Sequence, residues 1–545
     1  MTHQFSQIPE ANIERSSFDR SHGYKTTFDA GYIVPFYVDE VLPGDTFNVN
    51  ATTFARLATP VCPIMDNMYL DTFFFYVPSR LLWKHWVNMN GEQVNPGDST
   101  DYLVPTITTA TSSDFAVGSL ADYLGIPTGI ANLEVNALPF RAYHKIWDDW
   151  FRDENLQDSW LNDDTYFGDG PDTVAKMNVL HRRGKRHDYY CSSLPFPQKG
   201  PGVELPLGTS APVKGTGYAL GVTDGTNEGV LASQGEYKSL GYSLGGSNQM
   251  LPFQDTAANT KAFTARYTVG VSTDSSKSGL VADLSEATAA TINSLRQAFQ
   301  IQRMYEKDAR GGTRYTEILR SHFGVISPDA RLQRSEYLGG SSDLININQV
   351  AQTSQTTSAS PQGNLAAFGL VSGRSGFTKS FTEHGYVLGF VNVRADLNYQ
   401  QGLNKLWSRK TRFDFYWPSL AHLGEQAVLN KEIYAQGASV KDADGNIVDD
   451  QPFGYQERYA EYRYHPSQIT GQLRSTYSAP LDYWHLAQKF ESLPKLNAEF
   501  IEDNPPLDRC IAVQDYPQFV FDSYISCKCV RPMPVYSVPG LIDHM

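Results

Sequence analysis

Four acids crowd one short stretch of the chain: Asp148, Asp149, Asp153 and Glu154. Convergent carboxylates can serve as the acid and base of a glycoside hydrolase or as ligands of a hard cation. The surrounding pattern favours a plainer use. In LPFRAYHKIWDDWFRDENLQ, residues 138–157, Phe140, Tyr143, Trp147 and Trp150 recur at helical spacing, and Lys145, Asp148, Asp149 and Arg152 fall on the other side. Asp148 and Arg152 stand four apart, the spacing of an ordinary helical ion pair, so the acids are expected on a solvated face.

The other reactive groups are equally unpromising as catalysts. Cys527 and Cys529 flank Lys528 without a second Cys or His pair at zinc spacing, and Cys510 lies too far along the chain to complete a knuckle. With Cys62 and Cys191 they make an odd, sparse set of five, unlike the disulfide framework of a small secreted domain, so reduced thiols are expected. There is no phosphate-binding lysine loop, no dinucleotide glycine fingerprint, no His-Glu-x-x-His helix and no nucleophile motif. No catalytic residue, metal or cofactor is expected.

The densest positive charge is His181-Arg182-Arg183-Gly184-Lys185-Arg186-His187, followed by Tyr189-Tyr190. Cations that meet phosphates beside rings that stack on bases are what a single-stranded nucleic acid requires. Arg182, Arg183, Lys185 and Arg186 are therefore the candidate nucleic-acid contacts, although such runs also serve as solvated loops or inter-subunit contacts. Arg296, Arg303 and Arg310, seven apart, form a helical stripe that suits solvent or a neighbouring subunit at least as well as DNA.

The elements that must carry these groups are mostly strands. Aromatics make up 12 % of the 545 residues, with 31 Tyr and 29 Phe, and 43 Gly and 30 Pro punctuate many short segments. Residues 31–83 predict strand, turn, strand, loop and strand, with Leu42-Pro43-Gly44-Asp45 placing Pro and Gly where a type II turn needs them. Met68 to Val77 is apolar on both alternating faces, as in a strand covered on both sides. Residues 200–283 shift to Gly, Ser, Thr, Ala and Asn and contain none of the Trp, the texture of an insertion. A second helix is predicted from near Thr288 to Arg310, stopped by Gly311-Gly312. Residues 351–363 predict a loop. Val391, Val393, Ala395 and Leu397 alternate with Asn392, Arg394 and Asp396, and Phe413, Phe415 and Trp417 with Arg412, Asp414 and Tyr416, the pattern of two more strands; the last fifty residues are Pro-rich and extended. There is no fixed-period repeat. The N-terminus lacks a basic region followed by an apolar run, and no apolar stretch reaches membrane-spanning length, so the chain is expected to act without export.

Specific blocks then carry a family resemblance. TINSLRQAFQIQRMYEKDARGGTRYTEILRSHFGVISPDARLQRSEYLGG at 291–340 resembles the major capsid proteins of the gokushovirus branch of the Microviridae. So do SFTEHGYVLGFVNVRADLNYQQGLNKLWSRKTRFDFYWPSLAHLGEQAVLNKEIY at 380–434 and the stretch 138–157. Shorter blocks continue it: VDEVLPGDTF at 38–47, TPVCPIMDNMYLDTFFFYVPSRLLW at 59–83, RYAEYRYHPSQITGQLR at 458–474 and the C-terminal RPMPVYSVPGLIDHM. Met545 stands where the resemblance leads one to expect an aromatic.

The resemblance implies a mainly β chain built on an eight-stranded antiparallel jelly roll, a viral capsid β-sandwich with long loop insertions and a few helices. Residues 1–199 and 286–545 would form that core, 200–285 a variable surface protrusion at the three-fold axes, and 531–545 a C-terminal arm. Arg531, Pro534, Tyr536, Pro539 and Leu541 are the candidate subunit contacts of the arm. It further implies a structural, non-enzymatic protein of the virion, assembled in the bacterial cytoplasm into the smallest (T=1) icosahedral shell around a circular single-stranded DNA genome. Its implied partners are further copies of itself, the DNA, a small basic DNA-binding protein, an internal scaffolding protein, a minor pilot-like protein and a host surface receptor. The formal charge of −14 fits that partner set, because such a subunit cannot neutralise DNA by bulk charge. Two competing classes remain: a carbohydrate-binding or hydrolytic β-sandwich would need convergent acids at an open cleft, and a trimeric spike would need repeats.

Overall fold

The strand pattern of residues 31–83 folds as its alternation dictates: β1 (Ser16–Asp19) and β2 (His22–Phe28) lead into β3 (Val34–Val41), β4 (Thr46–Leu57) and β5 (Met68–Pro78). In the turn between β3 and β4, Gly44 takes φ +89°, the Asp45 N–H donates to the Leu42 carbonyl at 3.0 Å, and the Asp45 carboxylate accepts from the Leu42 N–H at 2.8 Å. The computed structural model describes residues 13–161, 167–203, 213–215, 221–223, 268–270, 280–282, 292–328, 332–358 and 361–536. Later strands are β6 (Glu336–Leu344), β7 (Asn346–Ala351), β8 (Leu365–Ser380), β9 (Gly385–Ala395) and β10 (Phe519–Arg531).

These strands form two antiparallel sheets. The first runs β1-β10-β4-β8-β7, with β2 also paired to β10; the second runs β6-β5-β9-β3. The inward faces meet through rings: Phe36 of β3 sits edge-on to Phe521 of β10 at 5.6 Å, and Phe74 of β5 lies 5.3 Å from Phe377 of β8. Cys527 and Cys529 are two residues apart on β10 and both point into this core, where a free thiol behaves as a small apolar side chain.

The second sheet is covered on its other face as well, which is why β5 carries apolar residues in both registers. Phe75, Val77, Leu388 and Phe390 pack there with Leu138, Phe140, Tyr143 and Ile146 of helix α1 (Leu138–Ile146). The outward face of the first sheet instead alternates toward solvent, with Asn48, Thr52, Phe54 and Arg56 exposed along β4 and Val520, Asp522, Tyr524 and Lys528 along β10.

The chain divides into two compact units, Met1–Lys199 with Glu306–Met545, and Gly200–Tyr305. In the second unit the described strands form two short pairs, Val213–Gly215 with Leu280–Ala282 and Gly221–Thr223 with Thr268–Gly270. Most of 200–285, and the expected helix start at Thr288, lie outside the described residues. Helix α2 (Ile292–Arg310) ends where the glycines predict, with Gly312 at φ +97°, and α3 (Tyr315–Phe323) follows. Among the described residues no helix is long and apolar enough to cross a membrane.

Two sequence expectations fail here. The helix over 138–157 stops early: α1 passes into a π-helical turn at Trp147–Phe151 and the backbone is extended at Arg152. Asp148 and Asp149, expected in solvent, are 6 % and 7 % exposed. Asp148 accepts from the Ser159 hydroxyl and from the Trp160 and Leu161 N–H groups at 2.9–3.0 Å, so it caps the returning loop instead of facing water. Its ion pair with Arg152 does form, at 3.3 Å. The second failure is 412–417, whose alternation yields no strand. Two 3₁₀ turns, Arg412–Asp414 and Pro418–Leu420, stand there instead, and 412–417 pairs with no strand among the described residues.

Candidate nucleic-acid cleft and assembly surfaces

The basic run 181–187 is stitched to two distant backbones. The Ile33 N–H donates to the His181 carbonyl at 3.0 Å, Arg183 N–H to the Gly31 carbonyl at 2.8 Å, and Lys185 N–H to the Ile501 carbonyl at 2.7 Å. Held this way, its side chains reach separate partners. The Arg182 guanidinium lies 4.0 Å over the Tyr32 ring and donates to the Asp503 carbonyl at 3.1 Å. Arg183 donates to Asp71 at 2.5 Å and stacks 4.6 Å over Phe73. Lys185 is 7 % exposed and donates to the Phe500 carbonyl and to Gln488. Arg186 pairs with Asp396 at 2.5 Å, yet its side chain keeps 40 % of its surface in solvent.

Burial sets the electrostatics of this knot. It pushes Arg183 down to about 10, helped by the neighbouring Arg394, and it also lowers Lys185. Asp503, 2 % exposed, is pushed up to about 7 by burial although Arg394, Lys185, Arg183 and Arg182 all pull it down. His181 at the head of the run is buried against Trp147, rings 4.2 Å apart, and its Nε2 meets His144 Nδ1 at 2.8 Å.

Arg183, Lys185 and Arg186 form one wall of a cleft of about 920 Å³. The other walls bring Arg152, Arg314, Arg334 and Arg394, with the rings of Phe73, Phe75, Trp150, Phe151 and Tyr337. Six arginines and a lysine thus face four carboxylates, Asp149, Asp153, Glu154 and Glu317, in a chain whose overall charge is −14. Arg334 stacks 4.2 Å over Trp150, and Arg314 pairs with Glu154 at 2.6 Å. Arg182 does not line the cleft. Arg314, Arg334 and Arg394 were not singled out in the sequence, and no local signal could have found them, since they arrive from separate segments. On the arginine stripe of α2, Arg310 pairs with Glu425, while Arg296 and Arg303 are exposed.

The acids that could have served hydrolysis have internal duties. Asp149 accepts from the Ser335 N–H and hydroxyl at 2.9 Å and from Lys145 at 2.9 Å. Among the described residues no group of three His, Cys, Asp or Glu is placed to hold a metal ion.

At the C-terminal arm, Arg531 turns back onto its own chain, donating to the Glu40 carbonyl at 2.7 Å and lying 3.4 Å from Asp45. Beyond it the chain moves outward: Val535 is 57 % and Tyr536 86 % exposed. Pro534 lies in this exposed stretch; Pro539 and Leu541 lie outside the described residues.

Large apolar side chains are also exposed along 403–423. Leu406, Trp407, Phe413, Phe415, Tyr416 and Leu423 there are each at least half exposed.

Comparison with known proteins agrees across the whole chain. The profile of the family described as capsid protein (F protein) matches residues 6–541. The chain is 51 % identical over 546 residues to the capsid protein VP1 of Bdellovibrio phage phiMH2K, covering 99 % of this chain and 97 % of that one. It is 46 % identical to the capsid protein VP1 of Chlamydia phage 1, with 99 % and 98 % covered, and 37 % identical to that of Spiroplasma virus 4, with 99 % and 97 % covered.

Proposed function

Because the chain belongs to the capsid protein (F protein) family, we propose that it is the subunit of a T=1 icosahedral shell enclosing a circular single-stranded DNA phage genome. It is a structural protein of the virion, not an enzyme, and its family assembles into multimeric shells. The observation that carries the finer reading is end-to-end similarity to capsid proteins of small phages, unbroken by any added catalytic module.

The strand order supports an eight-stranded jelly roll. Taken without the edge strands β1 and β7, the two sheets are β2-β10-β4-β8 and β3-β9-β5-β6. Successive strands cross between sheets except from β5 to β6, the pattern of two interleaved Greek keys. Within this scheme residues 200–285 form the surface protrusion that meets the host receptor, and the arm 531–545, with Arg531 held to its own chain, reaches a neighbouring copy, for which Tyr536 at 86 % exposure is the leading contact. Several such contacts acting together hold a subunit more firmly than any one of them.

The DNA contact narrows to the cleft. Lys185 sets its wall from a buried position and Arg183 from a largely buried one, Arg182 ties the run to Asp503 behind it, and Arg186, whose side chain is 40 % exposed, meets phosphate. The remaining genome charge falls to a small basic protein, with internal scaffolding and pilot-like proteins completing assembly in the bacterial cytoplasm. Replacing Arg186 by Gln is expected to leave particle yield unchanged and to lower the dependence of log affinity for a single-stranded oligonucleotide on log salt by about 0.7. An unchanged salt slope would remove Arg186 from the DNA surface.

The shell itself is tested by light scattering and negative-stain imaging of the full chain, alone and with its scaffolding partner. Closed uniform particles are expected in at least one condition. Small oligomers in both, with a scaffolding protein of proven activity, would refute the shell. The same assay reads the two appendages: removing 532–545 abolishes closed particles, and deleting 205–280 leaves particles that no longer adsorb to the host.

A further inference from the structure

We propose that the aromatic platform at residues 403–423 is an inter-subunit contact, occupied by a second copy of this chain. On it Trp407 is 73 %, Phe413 65 %, Leu423 60 %, Leu406 57 % and Phe415 51 % exposed. Isolated exposed apolar residues are ordinary, but a cluster of this size on one segment is not.

The rings are held out by the backbone beneath them. The Asp414 carboxylate accepts from the Lys410 and Thr411 N–H groups at 2.8 and 2.7 Å, and the Trp417 indole N–H donates to the Arg412 carbonyl at 3.0 Å while the Arg412 guanidinium stacks 4.6 Å over that ring. Below, Arg409 pairs with Glu461 at 3.3 Å, both side chains at most 10 % exposed, and lies 4.0 Å over Tyr462. Tyr459 is buried and takes φ +66°, a conformation that bulky residues adopt only when their surroundings impose it, and its hydroxyl donates to the Phe415 carbonyl at 3.0 Å. A segment braced this firmly presents its rings with little left to order on contact, the condition under which buried apolar area converts into affinity.

Size, composition and charge select the occupant. Five aromatic residues, Trp407, Phe413, Phe415, Tyr416 and Trp417, are 39–73 % exposed; half-covered rings of these types offer on the order of 500 Å² of surface. That is most of one side of a standard protein interface, about 800 Å² per partner. Trp, Tyr, Phe and Arg are the residues enriched in such interfaces and in their hot spots. With Lys405 and Arg409 already set against Glu432 and Glu461, the segment still carries Lys410 and Arg412 against the single acid Asp414, in a chain of net charge −14, so another copy of this chain supplies a predominantly acidic complement. Single-stranded DNA fits less well: Lys405 and Arg409 are held by Glu432 and Glu461, and Leu406 and Leu423 gain nothing from bases.

The identity of the occupant rests on the shell reading above, and the test separates the two. The double variant Trp407→Ser, Phe413→Ser of the full chain is compared with the parent by circular dichroism, sedimentation and imaging. Unchanged folding is expected because both side chains lie outside the core, together with at least a tenfold loss of closed particles and of concentration-dependent self-association. If the double variant folds poorly, Trp407→Glu alone gives the same comparison. Particles and self-association at parental levels would overturn the contact, as would normal self-association accompanied by loss of single-stranded DNA binding, which would make the platform a DNA surface. A parent chain that forms no shells but still self-associates through these residues would sink the shell and leave the contact standing.

Discussion

Replacing Asp172 by Ala lowers the stability of the unassembled subunit by about 3–5 kcal/mol, because it strands a buried cation. Arg141 is fully buried, with its Nε and Nη2 donating to the two oxygens of Asp172 at 2.7 Å each and its Nη1 donating to the Leu82 and Gly168 carbonyls at 3.1 Å. Four of the five guanidinium N–H groups are thereby served, and the pair ties α1 to the backbone at Asp172, whose N–H donates to the Thr106 carbonyl at 2.8 Å. Loss of the carboxylate leaves a fully buried charge without its counter-ion. The double variant Arg141→Met, Asp172→Leu recovers most of the loss, since two apolar side chains of similar volume need no solvation. Urea unfolding followed by tryptophan fluorescence measures both. A single variant within about 1 kcal/mol of the parent would mean that the pair is not desolvated as its geometry requires.

Acidification from pH 7 to 5 removes about 2 kcal/mol for each of two buried histidines, on the basis of about 1.4 kcal/mol per pH unit below the unfolded value. His144 is lowered to about 3 and His181 well below its ordinary value, both chiefly by burial. The hydrogen bonds explain why His144 refuses a proton, and burial together with the neighbouring His144 keeps His181 neutral. His144 Nε2 lies 3.0 Å from the Met177 carbonyl, which can only accept, so that nitrogen carries the hydrogen and Nδ1 is left to accept from His181 Nε2 at 2.8 Å. A further proton on His144 would set two N–H groups against each other.

The sign follows directly. The unfolded chain takes up protons near pH 6.5 while the folded chain refuses them, so the stability is full above 6.5 and is lost as pH falls toward about 3. Asp503 acts in the opposite sense: its folded value, about 7, exceeds the unfolded one, so its contribution is present at low pH and lost as pH rises. A comparison of variants therefore isolates the histidines better than the parent curve alone. His181→Phe keeps the stacking on Trp147 and removes one titrating group. Its deficit relative to the parent is expected to shrink by about 2 kcal/mol between pH 7 and 5; parallel stability curves would show that the pair does not set the acid limit.

Which parts of the protein could be foreseen depends on how far apart in sequence the causes lie. The turn at 42–45, the doubly covered strand β5 and the stop of α2 at Gly311-Gly312 were all legible, because dihedral preference and side-chain period act over a few residues. The blocks that identify the family were legible for another reason: they are long stretches of specific sequence spread over the chain, and the profile match over 6–541 bears them out.

The fates of individual charges and rings were decided only by the tertiary structure. Alternation at 412–417 marks which side chains share a side, but a strand also needs a partner backbone, and the segment pairs with no strand among the described residues. The same spacing that predicts a solvated acidic face cannot show that the chain returns at 159–161 to donate to Asp148. Along the basic run, sequence established that cations are concentrated at 181–187; folding determined that Arg183 meets Asp71, 112 residues away, and Arg186 meets Asp396, 210 away, while Arg186 keeps more of its side chain in solvent on the cleft than Arg183 does. Local steric and periodic rules therefore wrote the strands, the turns and the family into the sequence. Desolvation and long-range pairing, which depend on contacts that exist only after the sheets close, assigned each charged group to the interior or to the surface.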